Sequence, residues 1–327
     1  AGVIYSFWIM LAENTSVSPT NAGGTYPMNI KKRKLIPYCY SMPFLILMVL
    51  FMIFPFVLNL ILSFTNYSLS RTTTSFIGIQ NYYQAFSGST LADATKNTFV
   101  FTAGCLTLSM LLGLFYAIGM SFDIKGNSVI KALILLPWIL PESVTAYVWQ
   151  WVFTADSGII HTAMVNIGLI TADTSFFADG NLAMWMIITS NAWRTAPFVA
   201  IMLYAKLKSI PNDQIEAAKI DGANAWNCFL HITIPWLMPI IKRCCMLLFV
   251  WSFNSFTIIF IMTYGGPAGA TTTLPFLIRQ TAFKDFNFGK AMALAILVLL
   301  IICISLGVFF LIGRGFKALY RRRRYYS

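Results

Sequence analysis

Two ionisable side chains stand where lipid would surround them: Glu142 and Arg194, each near the middle of a long apolar run. A charge at the bilayer centre costs about 2.5–3.5 kcal/mol on insertion scales, so such residues face a bundle interior or an aqueous path. Ser252, Asn254 and Ser255 stand at similar depth in a third run. Pro137 and Pro141 precede Glu142, and Pro197 follows Arg194, so backbone hydrogen bonding is interrupted beside both charges. Polar groups that converge at the midplane beside interrupted helices form the pattern of a translocation site. A Glu142–Arg194 ion pair with polar packing between helices accounts for the same residues, and the sequence leaves both readings open. Trp138, Tyr147, Trp149, Trp151, Trp193 and Phe198 lie at these depths. Their rings could stack on a sugar or simply pack against lipid and neighbouring helices.

Enzymatic chemistry finds no foothold. The chain has no GxxxxGK[ST] phosphate loop, no HExxH, no GxSxG and no paired carboxylates beside a basic residue. His161 and His231 are isolated, which argues against a metal site. The six cysteines (Cys39, Cys105, Cys228, Cys244, Cys245 and Cys303) fall mostly within or beside apolar runs without a repeated CxxC, and read as reduced packing thiols. With no catalytic motif and no cofactor-binding pattern, catalysis and resident cofactors are not expected in this chain.

The elements that would position these residues are membrane spans. Only 10% of the 327 residues are charged and 58% are apolar, with a mean hydropathy of +0.71; soluble domains carry roughly 25% charged residues. Six runs are long enough to cross about 30 Å of hydrocarbon: 40–63, 98–121, 131–153, 182–204, 237–263 and 290–313. The net charge of +12 does not suit nucleic acid, because the basic residues lie in short clusters beside the spans. Of 23 Lys and Arg, seventeen fall on one side of the alternating topology, five on the other, and Arg194 within a span. The positive-inside rule therefore places both termini in the cytoplasm. The expected organisation is an N-terminal extension and basic segment at 1–34, a membrane domain at 35–320, and a basic tail at 321–327. Residues 1–27 contain AGVIYSFWIMLA, too short an apolar run to span and without the basic lead of a signal peptide. Met28 looks like a natural start, and no function is assigned upstream of it.

Between the fourth and fifth runs lies a polar insert, 205–236, too long for a simple turn. It reads as two short helices. Pro211 suits a first turn, Asp213 with Glu216 resembles a capping box, Gly222 is a stop, and Ala223 to His231 restarts the helix. Pro235 and Pro239 are expected to break the chain before the fifth span. Small Ala217, Ala218 and Ala223 with apolar Ile215, Ile220 and Phe229 suit docking of a partner protein. Two acids and an alanine-rich face suit lipid poorly.

The stretch EAAKIDGANAWNCFLHITIP resembles the EAA loop of membrane subunits of binding-protein-dependent ABC importers: EAA, three residues, Gly, nine residues, then I-x-L-P. Glu216-Ala217-Ala218, Gly222 and Ile232-Thr233-Ile234-Pro235 match, with Ile234 where Leu is usual. Phe76-Ile77-Gly78-Ile79-Gln80-Asn81-Tyr82 is similar to the F-x-G-L-x-N-Y stretch of maltose- and glycerol-phosphate-type permeases. Leu136-Pro137 through Pro141, Trp193 to Phe198, and Thr263-Tyr264-Gly265-Gly266-Pro267 are similar to later family blocks. His161 departs from a usual Asn. The resemblance covers residues 35–320 and is to the first permease of a pair.

The resemblance implies an all-α type I ABC importer membrane domain with six transmembrane helices in the bacterial inner membrane. It implies as partners a homologous second permease, two ATP-binding subunits that hold ATP and Mg, and an extracytoplasmic solute-binding protein. The cargo would be a carbohydrate. Glu216, Ala217, Ala218, Asp221 and Gly222 would couple to the ATPase. Sugar-contact positions would fall on Trp138, Glu142, Thr195, Phe198 and Ser252, with Arg194, Asn254 and Ser255 as neighbours. Glycerol 3-phosphate or an acidic oligosaccharide is the alternative cargo. A proton-coupled secondary transporter using Glu142 is the alternative of another class, but it predicts an internal repeat that the sequence lacks and leaves the EAA block unexplained.

Overall fold

A computed structural model describes residues 40–69, 73–122, 126–155 and 158–325, with side chains as far as Leu311. The extension 1–34, the charges Arg71 and Lys125, and the side chains of the basic tail lie outside the described residues. Two compact units are distinguished, Ala1–Val57 and Leu58–Ser327. In the first, the described residues belong to helix α1, Tyr40–Leu62, which is long and apolar enough to cross a membrane. Its turn Val49–Ile53 is widened to a π-helix, with the Phe54 N–H bonded to the Val49 carbonyl. Pro55 follows at once. A proline cannot donate to the ladder and its ring crowds the preceding turn, so a widened turn relieves both.

Among the described residues the second unit consists of helices, their connecting loops and an isolated bridge, Thr65 to Phe76. Its elements are α2 (Gln80–Phe86), α3 (Ser89–Ser121), α4 (Asn127–Ile139), α5 (Glu142–Phe153), α6 (Ile159–Asn166), α7 (Gly180–Leu207), α8 (Asn212–Ile220), α9 (Ala225–Phe253), α10 (Thr257–Met262), α11 (Leu274–Phe283) and α12 (Phe288–Tyr325).

The organising contact is α3 against α7. On α3 the buried residues Phe101, Cys105, Ser109, Gly113 and Ala117 recur at every fourth position, which keeps them on one helix face. They meet Ile187, Ile188, Asn191, Thr195, Ala196 and Val199 of α7. The two backbones approach closely because Gly113 has no side chain: a Cβ there would lie 2.5 Å from Val199 Cβ. Small residues at a crossing are how helices associate in lipid, where the hydrophobic effect gives no drive. Helices α4, α5, α9 and α10 then pack around α7, so it is the central helix of the bundle.

That centrality explains a discrepancy in span counting. Among the described residues, α1, α3, α9 and α12 are each long and apolar enough to cross a membrane, and α4 with α5 makes a fifth if read as one bent span. Helix α7, at 28 residues, is long enough as well. It carries Ser190, Asn191, Arg194 and Thr195 in its middle, and these lower its apolarity because it faces protein rather than lipid.

Three expectations are corrected. The run 131–153 is not one helix: it stops at Ile139, turns through Leu140 and Pro141, and restarts at Glu142 after a bend of 100°. Leu140 takes the extended backbone that a following proline enforces. The run 237–263 is likewise interrupted, between Phe253 and Thr257. Pro235 and Pro239, by contrast, break nothing: α9 runs through both, preceded by a π turn at Phe229–Thr233 just before Pro235, the device seen before Pro55.

The segment similar to F-x-G-L-x-N-Y has a structural task. Gly78 turns at φ +61°, and the buried Asn81 amide donates to the carbonyls of both Ser63 and Thr65, each at 2.8 Å. Tyr82 Oη shares a hydrogen bond with Ser63 Oγ at 2.7 Å. The first loop is thereby pinned against the chain that leaves α1. Each buried polar group left unpaired costs about 1–3 kcal/mol. Asn81→Ala is therefore expected to destabilise the protein by about 2–4 kcal/mol. This would be read as a lowered thermal midpoint in detergent; an unchanged midpoint would remove Asn81 from the list of structural pins.

Candidate functional site

The break in the α4–α5 span and the break between α9 and α10 face each other. Ser255 Oγ donates to Glu142 Oε1 at 2.7 Å. Glu142 is the first residue of α5, not a mid-helix residue, so its carboxylate sits at the positive end of a helix dipole. The carboxylate thus meets both the helix terminus and the Ser255 hydroxyl. Helix α10 packs along α5 beyond this point, so the two downstream halves form one layer.

Arg194 lies elsewhere than an ion pair requires. Its Nη2 donates to Asn191 Oδ1 at 3.2 Å, and its Nε is buried with no partner. Among the described residues no ion pair joins Glu142 to Arg194, which removes the ion-pair alternative. Asn191 links the arginine to α3 by donating to the Cys105 thiol at 3.3 Å. Cys105 in turn lies within electrostatic reach of Ser252, Arg194 and Glu142. Polar groups from α3, α5, α7 and α9 therefore converge on one level of the bundle. Ser252 Oγ, Thr145 Oγ1 and Trp149 Nε1 are, like Arg194 Nε, buried without hydrogen-bond partners.

The remaining residues separate into three settings. Thr195 is buried and fully engaged: its hydroxyl donates to the Asn191 carbonyl and shares a bond with Ser109 Oγ, both at 2.8 Å. Trp138 and Phe198 come together with ring centroids 5.9 Å apart, and Phe198 meets Trp251 at 4.8 Å, a row of rings linking α4, α7 and α9. Asn254 is exposed and turns back to donate to the Val250 carbonyl of its own helix. Ser109, Asn191 and Cys105 were missed by sequence reading. Their signal was the small, polar spacing Cys105-Ser109-Gly113, which looks like mere packing until its partner helix is known. His161, the departure noted above, is buried with Nε2 2.9 Å from the Thr174 carbonyl, which is a packing role.

The insert stands apart from the bundle. Helix α8 has no buried residue. It lacks the capping box: Pro211 precedes it, no side chain caps it, and Asp213 lies within its first turn. Its end is firmly built. Ala223 N–H bonds the Ala218 carbonyl, Gly222 N–H bonds the Lys219 carbonyl, and Gly222 has φ +86°. This is the Schellman arrangement, with glycine in the left-handed position. Asn224 then caps α9 by accepting from Asn227 N–H at 2.8 Å. Glu216, Ala217, Asp221 and Gly222 are exposed, and Ala218 is half-buried. At the root of the insert, Trp236 Nε1 donates to Ser209 Oγ at 3.2 Å and Lys206 Nζ covers the Trp236 ring at 4.5 Å.

Known proteins share this fold. The family of binding-protein-dependent transport system inner membrane components matches residues 109–318. A probable ABC transporter permease of Brucella suis biovar 1 is 30% identical over 273 residues, covering 84% of this chain and 94% of its own. The trehalose/maltose transport system permease protein MalF of Thermococcus litoralis is 29% identical over 285 residues, covering 85% and 93%. A chain of the bacterial alginate ABC transporter, solved with an alginate pentasaccharide-bound periplasmic protein, has the same fold. Its TM-score is 0.76 at 20% identity, with 89% of this chain and 98% of that one covered. The chain therefore belongs to the binding-protein-dependent transport system inner membrane components, as a multi-pass ABC transporter permease with the type I importer fold.

Proposed function

We propose that this permease is the first of two paired membrane subunits of an ATP-driven carbohydrate importer. It works with a homologous second permease, two ATPase subunits that bind ATP and Mg, and an extracytoplasmic solute-binding protein. Both termini and the 205–236 insert lie in the cytoplasm, as the distribution of Lys and Arg supports. Helix α8 seats in the ATPase, with Glu216, Ala217, Ala218, Asp221 and Gly222 at the contact, and transmits closure of the ATPases to the spans. The cargo passes between inward- and outward-facing states beside the two broken spans.

The observation that carries this reading is the meeting of the two breaks through Glu142 and Ser255, on a level with Ser252 and Arg194. Broken spans free backbone groups and polar side chains for a hydrophilic cargo at the midplane. The Trp138–Phe198–Trp251 row supplies apolar ring faces that suit the C–H face of a pyranose. Thr195 acts by holding α7 on α3 through Ser109. The names of relatives support the cargo class, since they include a trehalose/maltose permease and a diacetylchitobiose uptake permease.

The buried, unpartnered Arg194 Nε favours one variant of the reading. A guanidinium edge with an unspent donor suits a carboxylate or phosphate on the cargo, so an acidic oligosaccharide or a sugar phosphate is the second candidate. Co-purification of the full complex followed by a sugar screen tests both. ATP hydrolysis stimulated by the sugar-loaded binding protein is expected, and stimulation only by amino acids or peptides would overturn the carbohydrate reading.

A further inference from the structure

A second place in the molecule is shaped for a ligand. A cavity of about 610 Å³ lies between the first turns of α3, the loop after α10, and α11. Its wall carries Asp93, Lys96, Tyr264, Phe276, Gln280 and Lys284. Three of these are charged, and among the described residues no ion pair joins Asp93 to Lys96 or Lys284. Pockets that bind small molecules combine aromatic surface with a few convergent polar groups, and this wall has both.

The aromatic part is held in place before any ligand arrives. The Tyr264 ring packs on Phe260 at 5.4 Å and edge-on to Phe276 at 5.5 Å. The Arg279 guanidinium lies 4.1 Å from the Phe260 centroid and 5.8 Å from those of Tyr264 and Phe256. Tyr264 is nevertheless 58% exposed, so one side of the ring remains free. Its backbone is also unusual. Tyr264 has φ +52° and Ala268 φ +45°, with Gly265 and Gly269 also in the left-handed region. A bulky residue at positive φ is an outlier, and such strain gathers at ligand clamps, where the surrounding structure imposes it. The loop is fastened from the opposite wall: Asn97 Nδ2 donates to the carbonyls of Gly269 at 3.2 Å and Thr272 at 3.1 Å. The Thr271 hydroxyl holds the Gly266 carbonyl at 2.7 Å.

We infer that this cavity is an accessory carbohydrate site at the outer mouth of the permease, with Tyr264 as the stacking platform and Lys96, Asp93, Gln280 and Lys284 as hydroxyl or carboxylate partners. A ring fixed by three neighbours loses little freedom on binding, which is the advantage of a preorganised site. Phe256 directly follows Ser255, the partner of Glu142. The Tyr264–Arg279–Phe256 cluster is thus continuous with the midplane break, and a sugar held here waits one step above the path. This inference rests on the carbohydrate reading given above.

The test uses the full assembled complex in nanodiscs, without ATP and without the binding protein. Binding of maltotriose and of triguluronate is followed by saturation-transfer NMR. Pyranose C–H signals are expected from at least one sugar. Tyr264→Ala and the cavity-filling Gln280→Trp are expected to weaken binding by at least about tenfold, while Tyr264→Phe retains it. Size-exclusion profiles matching wild type show that the variants assemble. Sugar binding that survives both Tyr264→Ala and Gln280→Trp overturns the outer site and leaves the carbohydrate reading standing. Absence of binding by the wild type, with ATP hydrolysis still stimulated by sugar-loaded binding protein, has the same consequence. Neither binding nor stimulation overturns both.

Discussion

Glu216→Lys is expected to abolish sugar-stimulated ATP hydrolysis and uptake while the permease pair still inserts and assembles. The expectation follows from what α8 lacks. A helix of nine residues is too short to be stable by propensity alone, and no residue of α8 is buried. Its shape comes from the Schellman end at Gly222 and the cap at Asn224. Ile220 is 86% exposed and Trp226 62% exposed, more apolar surface than a solvated helix requires. A protein partner that covers these residues also desolvates Glu216. Removing one member of a buried, hydrogen-bonded charge pair costs about 2–5 kcal/mol, which is at least about thirtyfold in docking affinity. Within the free helix the reversal places like charges three residues apart at 216 and 219, worth only a few tenths of a kcal/mol. The docking effect is therefore the larger by far. Gly222→Val separates shape from charge. No heavy atom lies within 4 Å of a Cβ at this position, so its cost is purely that of the left-handed backbone, roughly 1–2 kcal/mol. Partial uncoupling is expected from Gly222→Val and complete uncoupling from Glu216→Lys. Uptake at the wild-type rate by Glu216→Lys would remove α8 from the coupling role.

How much of this could be read from the sequence depends on whether a feature is local. The apolar runs, the left-handed stop at Gly222 and the polar depth of Glu142, Arg194 and Ser252 are local, and all are visible in the chain. Prolines were legible only as a type. Pro137, Pro197 and Pro239 sit inside helices, whereas Pro141 ends one. The difference at Pro141 is tertiary, because the opened turn is stabilised where Glu142 meets Ser255. The second break, between Phe253 and Thr257, contains neither proline nor glycine and left no mark at all. Thr195 shows the same limit from the other direction: its residue type suits a ligand, but its hydroxyl is already committed to Ser109 on α3. The outer cavity was invisible because Asp93, Lys96, Tyr264 and Lys284 converge only after α3 and α11 are brought together.

The Glu142–Ser255 bond yields the second large effect, and the choice of substitution decides what it reports. If the carboxylate serves the cargo, Glu142→Ala removes the charge at the midplane and should lower sugar-stimulated ATP hydrolysis by at least about tenfold. If it only fastens α5 to the α9–α10 break, the same change costs the hydrogen bond, about 1.5–3 kcal/mol for a charged acceptor, and shows as a lower thermal midpoint. Glu142→Gln distinguishes the two, because its amide oxygen still accepts from Ser255 Oγ but carries no charge. Ser255→Ala makes the opposite change: it keeps the charge and removes the donor. A cargo role predicts that Glu142→Gln loses stimulation while keeping its thermal midpoint, and that Ser255→Ala keeps most of its stimulation while melting earlier. The reverse ranking would make Glu142 a structural residue. The carboxylate sits at a helix N-terminus and accepts from a hydroxyl donor. A merely structural hydrogen bond between the breaks would have been served as well by a neutral side chain, so the loss of stimulation in Glu142→Gln is the outcome we expect.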